Sequence, residues 1–213
     1  MNFSEQIQSL TNTLVFAAGI VLFALNIHDN GAYKVIGITA LLLPAYAIYR
    51  QTFNNGVIKD IFLEDYRPTK IIKALMAGIF AGLASGIYYR YQSTGSILPE
   101  YLTVFALTAT SIGIAEELIF RGVTFYLMKP IHLWLRIIMA ALLHAGYKTL
   151  LFVPGLREHS IDLWSMFGFT FQAGLVLGAI RIWAGHIAPP VAAHALWDLV
   201  VYGDRPDAPW WVW

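Results

Sequence analysis

Residues 99–128 read PEYLTVFALTATSIGIAEELIFRGVTFYLM, a long apolar run that carries Glu116, Glu117 and Arg121 in its second half. A helix that crosses a bilayer needs about 20 mostly apolar residues, so this run is long enough to span a membrane. A charged residue at the centre of such a helix costs roughly 2.5–3.5 kcal/mol on insertion scales and therefore usually faces a protein interior or a wet cavity. The run thus predicts a spanning helix whose polar face is turned towards other helices.

The composition of the whole chain also favours lipid as its solvent. Hydrophobic residues make up 58% of the 213 residues and charged residues only 13%, whereas soluble domains typically carry about 25% charged residues. The formal net charge is +1, which gives no electrostatic reason to expect nucleic acid as a partner. The chain contains no cysteine, and this excludes disulfides, thiolate metal sites and a cysteine nucleophile.

Apolar runs of spanning length recur along the chain and predict an all-α, polytopic transmembrane helical bundle of about seven spans. The expected spans are 11–27, 33–49, 70–89, 99–128, 133–153, 161–183 and 187–202. Pro44 predicts a kink in the second span, because proline removes a helical hydrogen bond. In the fourth span we expect Ser96 as the cap and Pro99 as the first helical residue. The last span is short and begins with Pro189 and Pro190, which makes it a candidate for a re-entrant segment.

Glycines recur at every fourth residue on two of the expected helices. They are Gly78, Gly82 and Gly86 on the third span, and Gly174 and Gly178 on the sixth. This spacing places the glycines on one helix face, where a neighbouring helix can approach closely. We expect them to serve packing between helices of the same chain rather than formation of a dimer.

Basic residues are concentrated between the second and third spans. This loop and its flanks contain Arg50, Lys59, Arg67, Lys70 and Lys73. Cytoplasmic loops of membrane proteins carry an excess of Lys and Arg, so the loop is expected in the cytoplasm, with the N-terminus cytoplasmic and the C-terminus outward. Residues 1–10 contain no Lys or Arg, and we therefore expect the first span to be retained rather than cleaved as a signal peptide.

Two more of the expected spans carry polar pairs. His144 and Lys148 lie four residues apart on the fifth span, and His194 and Asp198 lie four residues apart on the seventh. Residues four apart in an α-helix share a face, so each pair points in one direction. The simplest arrangement of three polar faces within a bilayer directs them at one another.

The two adjacent glutamates of the fourth span are expected to do different work. Glu117 and Arg121 share a helix face, whereas Glu116 is rotated by about 100° from Glu117. Glu117 and Arg121 are therefore expected to form a structural ion pair, and Glu116 to face His144 and His194. From the expected first residue of the span to Glu116 the rise is roughly 26 Å, which would place Glu116 towards the cytoplasmic side. Three proton-active groups from three helices indicate a functional site.

The order and spacing of these residues resemble the motifs of the CAAX protease and bacteriocin-processing family of intramembrane glutamic endopeptidases. The family's EExxxR motif corresponds to residues 116–121, its FxxxH motif is matched at His144, and its HxxxN motif corresponds to residues 194–198. The resemblance covers about residues 101–202. It suggests that the single membrane domain expected over 1–213 consists of N-terminal spans, 1–98, and a CAAX-protease-like core, 99–203.

The resemblance implies an endopeptidase that needs neither metal nor cofactor and that cleaves a membrane-associated or lipidated peptide or protein at the lipid bilayer. Carried over by position, Glu116 and His144 would activate a water molecule, and His194 and Asp198 would stabilise the oxyanion of the tetrahedral intermediate. Peptide hydrolysis in general requires a base for the water and donors aimed at the developing oxyanion. We expect such a protein in a bacterial inner (plasma) membrane.

Two positions depart from the family's pattern and keep alternatives open. Asp198 stands where asparagine is expected, and Ala140 where phenylalanine is expected. An ionised Asp198 cannot donate to an oxyanion, although it can orient His194. A non-catalytic membrane adaptor or immunity-type protein on the same fold is therefore one alternative. A zinc-dependent membrane peptidase with Glu116, His144 and His194 as ligands is another, and a proton-relaying transporter is a third.

Overall fold

The computed structural model describes residues 3–28, 31–55, 61–64, 68–153 and 162–206, and most of them are helical. The helices are α1 (Phe3–Asn26), α2 (Ala32–Ala40), α3 (Leu42–Asn55), α4 (Pro68–Thr94), α5 (Val104–Glu117), a π-helix (Leu118–Val123), α6 (Thr124–Leu127), α7 (Leu133–Phe152), α8 (Leu163–Ala184) and α9 (Ala188–Tyr202). Within these ranges there is no strand, only an isolated antiparallel bridge between Leu63 and His186. The predicted all-α class is confirmed.

Five helical segments among the described residues are long and apolar enough to cross a membrane. They are Ser4–Asn26, Ala32–Arg50, Pro68–Thr94, Leu133–Phe152 and Leu163–Ala184. They correspond to the first, second, third, fifth and sixth expected spans. Helix α9 has 15 residues, fewer than the about 17 that a full crossing requires. Helix α5 has 14 residues and continues without a gap through the π-helix and α6 to Leu127. With these two shorter helices the fold is consistent with the predicted bundle of about seven spans.

The fourth span begins later than the sequence suggests. Its first helical residue is Val104, and Thr103 is the N-cap, whose Oγ1 accepts a hydrogen bond from the backbone N–H three residues on at 3.1 Å. The expectation of a cap at Ser96 and a start at Pro99 is wrong, because Thr103 provides the side-chain acceptor that the first turn needs. From the observed start the rise to Glu116 is about 18 Å, so the helix carries this carboxyl little more than halfway through a hydrocarbon layer of about 30 Å.

The second span is interrupted near the predicted kink. Helix α2 ends at Ala40 and α3 begins at Leu42. Pro44 has no N–H for the carbonyl of Ala40, four residues earlier, and its ring crowds that carbonyl. Gly19 of α1 lies against the interruption, since a Cβ there would collide with Pro44 and with the Ala40 carbonyl. The predicted kink at Pro44 thus takes the form of a break between α2 and α3, a few residues before the proline.

The chain forms two compact units. The first contains Met1–Asp60 and Val123–Val176, and the second contains Ile61–Gly122 and Leu177–Trp213. In the first unit α1 packs against α2, α3 and α7, and the hydroxyl of Ser9 donates to the carbonyl of Leu127. In the second unit α9 packs against both α4 and α5.

Glycines on one face of α4 determine how closely α9 approaches. A Cβ on any of three buried glycines would press against the α9 backbone, with Gly78 facing Pro189, Gly82 facing Ala193 and Gly86 facing Trp197. Because no side chain separates the two helices, their backbones are in contact. The predicted intramolecular role is confirmed for this set. Gly174 and Gly178 are also buried.

The C-terminal end of α9 is held by hydrogen bonds. Arg90 of α4 donates through Nη1 and Nη2 to the two carboxylate oxygens of Asp204, at 2.9 and 2.5 Å. The N–H and hydroxyl of Thr103 both donate to the carbonyl of Gly203, at 2.8 and 3.0 Å. The hydrogen bond from Arg90 holds the pKa of Asp204 below its usual value. These hydrogen bonds join the C-terminal end of α9 to α4 and to the start of α5.

The basic loop is described only in part. Lys59 and Arg67 lie outside the described residues, whereas Lys70 and Lys73 lie at the beginning of α4. The cytoplasmic placement of this loop stays a prediction, and so does the treatment of the whole chain as one membrane domain.

Candidate active site

The contact between α5 and α9 brings two of the three sequence motifs together within the second unit. Gly113 of α5 makes this contact close. A Cβ at Gly113 would overlap the carboxylate of Asp198 and would lie 3.0 Å from Cδ2 of His194. The side chains of His194 and Asp198 therefore lie directly on the helix that carries Glu116 and Glu117.

One carboxylate oxygen of Glu117 contacts the side chains of both Arg121 and His194. Its Oε1 accepts a hydrogen bond from Nη1 of Arg121 at 2.8 Å and lies 2.9 Å from Nδ1 of His194. Glu117 and Arg121 are completely buried, so this charge-assisted bond is made without competing water. The predicted Glu117–Arg121 ion pair is confirmed. An ionised Glu117 accepts the Nδ1–H of His194 as well, so it fixes the orientation of the imidazole, a role that the sequence did not reveal.

The other nitrogen of His194 faces two more carboxylates. Its Nε2 lies 3.9 Å from Oε2 of Glu116 and 3.9 Å from Oδ2 of Asp198. Both distances exceed that of a direct hydrogen bond but permit strong electrostatic interaction in a buried site. Glu116 faces His194, as expected. The hydrogen bond at 2.9 Å joins Nδ1 of His194 to Glu117, and the orientation of His194 by Asp198 stays a prediction.

The cluster brings three carboxylates and an imidazole together. Glu116, Glu117 and Asp198 are buried together with Arg121, and His194 lies among them. Uncompensated charge is costly in a buried site, and the guanidinium of Arg121 offsets part of the negative charge through its ion pair with Glu117. An imidazole held at Nδ1, with carboxylates near Nε2, has the geometry of a general acid or an oxyanion donor.

The helix widens immediately after the two glutamates. Residues Leu118–Val123 form a π-helix, a feature that occurs frequently at functional sites. Nε of Arg181, on α8, donates to the carbonyl of Arg121 in this segment at 3.2 Å. The sequence predicted neither feature, since hydrophobic periodicity is too coarse to reveal a single widened turn or the acceptors of a buried arginine.

His144 belongs to the first unit. It lies on α7 and is buried, as is Ala140 one turn earlier, while Lys148 is half-buried. The burial of a histidine on a spanning helix agrees with a role inside the protein. Its convergence with Glu116 and His194 stays a prediction.

No metal centre is formed by the side chains that the structure describes. In those parts of the chain, no group of three His, Asp or Glu side chains is arranged to hold a metal ion. A zinc-dependent peptidase with Glu116, His144 and His194 as ligands stays an alternative.

A comparison of the chain with models of protein families gave a match. Residues 98–200 match the family model described as Type II CAAX prenyl endopeptidase Rce1-like. No curated protein and no solved structure is significantly similar to the chain. The matched segment extends from just before α5 into α9 and includes all three motifs.

Proposed function

Through residues 98–200 the chain belongs to the Type II CAAX prenyl endopeptidase Rce1-like family, and we propose that it cleaves a membrane-associated or lipidated peptide or protein with Glu116 and His144 as the groups that activate water. It is an integral membrane protein of a hydrolase family. The observation that supports the site is the buried cluster in which Glu117 bonds both Arg121 and His194, with Glu116 beside the same imidazole.

The proposed reaction is the addition of one water molecule across a peptide bond. Glu116 and His144 take a proton from the water as its oxygen attacks the scissile carbonyl carbon. The proton then passes to the departing amine when the carbon–nitrogen bond breaks, so the products are a carboxylic acid and an amine, which become a carboxylate and an ammonium by proton transfer. General acid–base catalysis of this kind contributes typically 10²–10⁴-fold to the rate.

His194 and Asp198 are assigned to the oxyanion. A doubly protonated His194 donates Nδ1–H to Glu117 and presents Nε2–H to the substrate oxygen, while the surrounding carboxylates offset its charge. Asp198, in place of the asparagine of the family pattern, donates to the oxyanion only in its protonated form. A preorganised donor of this type is worth about 10²–10³ in turnover.

The proposal is tested with the purified protein in lipid vesicles and two peptides that end in a CAAX sequence, one prenylated and one not. We expect cleavage of the prenylated peptide, and a loss of about 10²–10⁴-fold in Glu116→Gln and in His144→Gln. Glu100→Gln is the control, because Glu100 is exposed, and it should cleave at the wild-type rate.

Two results would contradict the proposal. Wild-type turnover by Glu116→Gln would remove the assigned base. Cleavage of neither peptide by a folded wild-type protein would favour the non-catalytic adaptor, for which the departures at Asp198 and Ala140 are the motivation.

We also propose that the protein lies in a bacterial inner membrane with its N-terminus in the cytoplasm. The chain has no cysteine of its own, so single cysteines introduced at Asn55 and Asp207 can be labelled from one side of the membrane. Labelling of residue 55 from outside the cell would refute the orientation.

A further inference from the structure

Arg181 is a buried cation that donates to the backbones of two distant segments. The residue is only 1% exposed. Its Nε donates to the carbonyl of Arg121 at 3.2 Å, and its Nη2 donates to the carbonyl of Ile61 at 3.3 Å. A buried guanidinium is expensive to desolvate, so its presence here calls for a reason beyond filling space.

The first of these carbonyls belongs to the helix that carries the glutamates. Arg121 lies in the π-helix Leu118–Val123, where the hydrogen-bond pattern is wider than in the α-helices on either side. A donor from another helix that bonds a carbonyl in this stretch favours one position of the widened turn over others. Arg181 therefore acts on the turn that places Arg121 within reach of Glu117.

The second carbonyl connects the same turn to the beginning of α9. A Cβ at Gly122 would collide with the side chain of Ile61, so Ile61, the first residue of the segment 61–64, lies directly on the π-helix. These residues also pair with the link between α8 and α9, since the N–H of Glu64 donates to Gly185 at 3.0 Å and the N–H of Ile187 donates to Phe62 at 3.1 Å. The π-helix, the segment 61–64 and the link between α8 and α9 are thus in contact with one another, and Arg181 donates to the first two. Together they join the helix that carries Glu117 to the helix that carries His194.

The charge of Arg181 also acts on the first turn of α9. Nδ1 of His186 accepts a hydrogen bond from the N–H of Ala188 at 2.9 Å. Burial and, to a smaller extent, the positive charge of Arg181 lower the pKa of His186, which keeps this ring neutral and able to accept at neutral pH. The start of α9, two turns before His194, is held in this way.

We propose that Arg181 is a positioning residue, which holds the π-helix and the start of α9 so that Glu117 and His194 keep their hydrogen bond. The inference rests on the proposed function for its kinetic readout. Its spectroscopic readout does not depend on any substrate, so the two proposals can fail separately.

The test compares Arg181→Met and Arg181→Lys with a matched control, Arg136→Met. Arg136 is also buried, at 4% exposure, and its Nη2 donates to the carbonyl of Phe125 at 3.1 Å. Its guanidinium also lies 5.2 Å from the centre of the Phe125 ring. Loss of Arg136 therefore reports the general cost of removing a buried guanidinium from a helix carbonyl, and it belongs to the first unit.

The spectroscopic readout is the ¹⁵N resonance of the His194 ring in histidine-labelled protein in detergent micelles. The chain has six histidines, and comparison with His194→Gln assigns the signal. We expect Arg181→Met to shift the Nδ1 resonance of His194 towards that of a ring without a carboxylate partner. Arg181→Lys, which retains one donor nitrogen and the charge, should shift it less, and Arg136→Met should leave it unchanged.

The kinetic readout separates chemistry from binding. Displacement of a catalytic group by about 1 Å can cost on the order of 10²-fold, so we expect kcat of Arg181→Met to fall by about 10–100-fold with little change in KM. Arg181→Lys should recover part of this loss. Arg136→Met should lower the yield of folded protein while its folded fraction retains the wild-type kcat.

The inference is overturned if Arg181→Met leaves the His194 resonance and kcat unchanged, or if Arg136→Met produces the same shift and loss. If Arg181→Met does not fold, Arg181→Lys decides the question, since an unchanged His194 resonance in that variant together with wild-type kcat would contradict a positioning role. If the wild type cleaves no peptide, the resonance alone decides.

Discussion

Glycines in two regions of the molecule meet very different surroundings. On α4 and α5, a Cβ at Gly82 or Gly113 would collide with α9, at the backbone of Ala193 in the first case and at the carboxylate of Asp198 in the second. In the first unit, a Cβ at Gly168 of α8 would meet no atom of the described chain within 4 Å. The same residue type thus marks a strict packing constraint in one region and none in the other.

The constraint in the second unit bears directly on the candidate site. Ala193 precedes His194 in α9, so Gly82 determines how near the backbone of this turn comes to α4. Gly113 meets the same turn from α5. Backbone contact on one side and side-chain contact on the other leave His194 little freedom, whereas a helix without such contacts tolerates added volume.

The largest effect is expected for Gly82→Ala. The added methyl group meets the carbonyl of Ala193, which is backbone and can move only with α9. Overpacking of this kind costs typically about 1–3 kcal/mol, more than the gain of about 0.8–1 kcal/mol in helix propensity. Unfolding of the purified protein by denaturant in micelles measures the difference. An equal stability of Gly82→Ala and Gly168→Ala would remove the distinction between the two regions.

A smaller loss of stability is expected for Gly113→Ala, together with a change at the site. Its methyl group meets the end of the Asp198 side chain, which can rotate away at a cost of about 0.5–1.5 kcal/mol for an off-rotamer position. Turnover should fall because Asp198 moves from Nε2 of His194. The measurement is the ratio of turnover in Gly113→Ala to that in Gly168→Ala. A ratio near one would show that the close contact between Gly113 and Asp198 has no part in the reaction.

A still smaller effect on stability is expected at the end of α9, which is held by the ion pair between Arg90 and Asp204 rather than by close packing. The pKa of Asp204 is lowered by the hydrogen bond from Arg90, so the folded state favours the ionised carboxylate. The resulting stability is present above the unfolded-state pKa of about 3.9 and is lost as the pH falls through the lower folded-state value. Partly exposed pairs contribute about 0.2–1 kcal/mol.

Stability measured between about pH 5 and pH 3 tests this contribution. The fall in stability should be shallower in Asp204→Asn than in the wild type. Arg90→Met provides the second arm, because it removes the partner while leaving the carboxyl group in place. An identical pH dependence in all three proteins would show that the pair does not hold the end of α9.

The smallest effect is expected for Gly168→Ala itself. With no described atom near the added methyl group, the change should remain within about 0.5 kcal/mol, as for other substitutions away from tight contacts. Gly146→Ala on α7 is a second example with the same open surroundings. A loss above 1 kcal/mol, on the order of that expected for Gly82→Ala, would mean that α8 has a close neighbour at this position.

Local pattern was sufficient for the helices and for the motif residues. Long apolar runs predicted the spans, Pro44 predicted a kink near the observed break, and the spacing of Glu117 and Arg121 predicted their ion pair. Pattern was insufficient at the start of α5, where apolar residues precede the helix and only the cap at Thr103 distinguishes them from it. The role of Arg181 was also hidden, because its acceptors are backbone carbonyls that have no sequence signature.

The sequence by itself determined that this is a helical membrane protein with carboxylates and histidines on its inner helix faces, since hydropathy and a period of 3.6 residues are local properties. Only the tertiary structure decided which carboxylate holds His194. That choice depends on the rotation and separation of α5 and α9, which arise from contacts between residues far apart in the chain, above all at Gly82 and Gly113. Because these glycines allow α9 to approach so closely, Nδ1 of His194 reaches Glu117, while Glu116 and Asp198 remain at its other nitrogen.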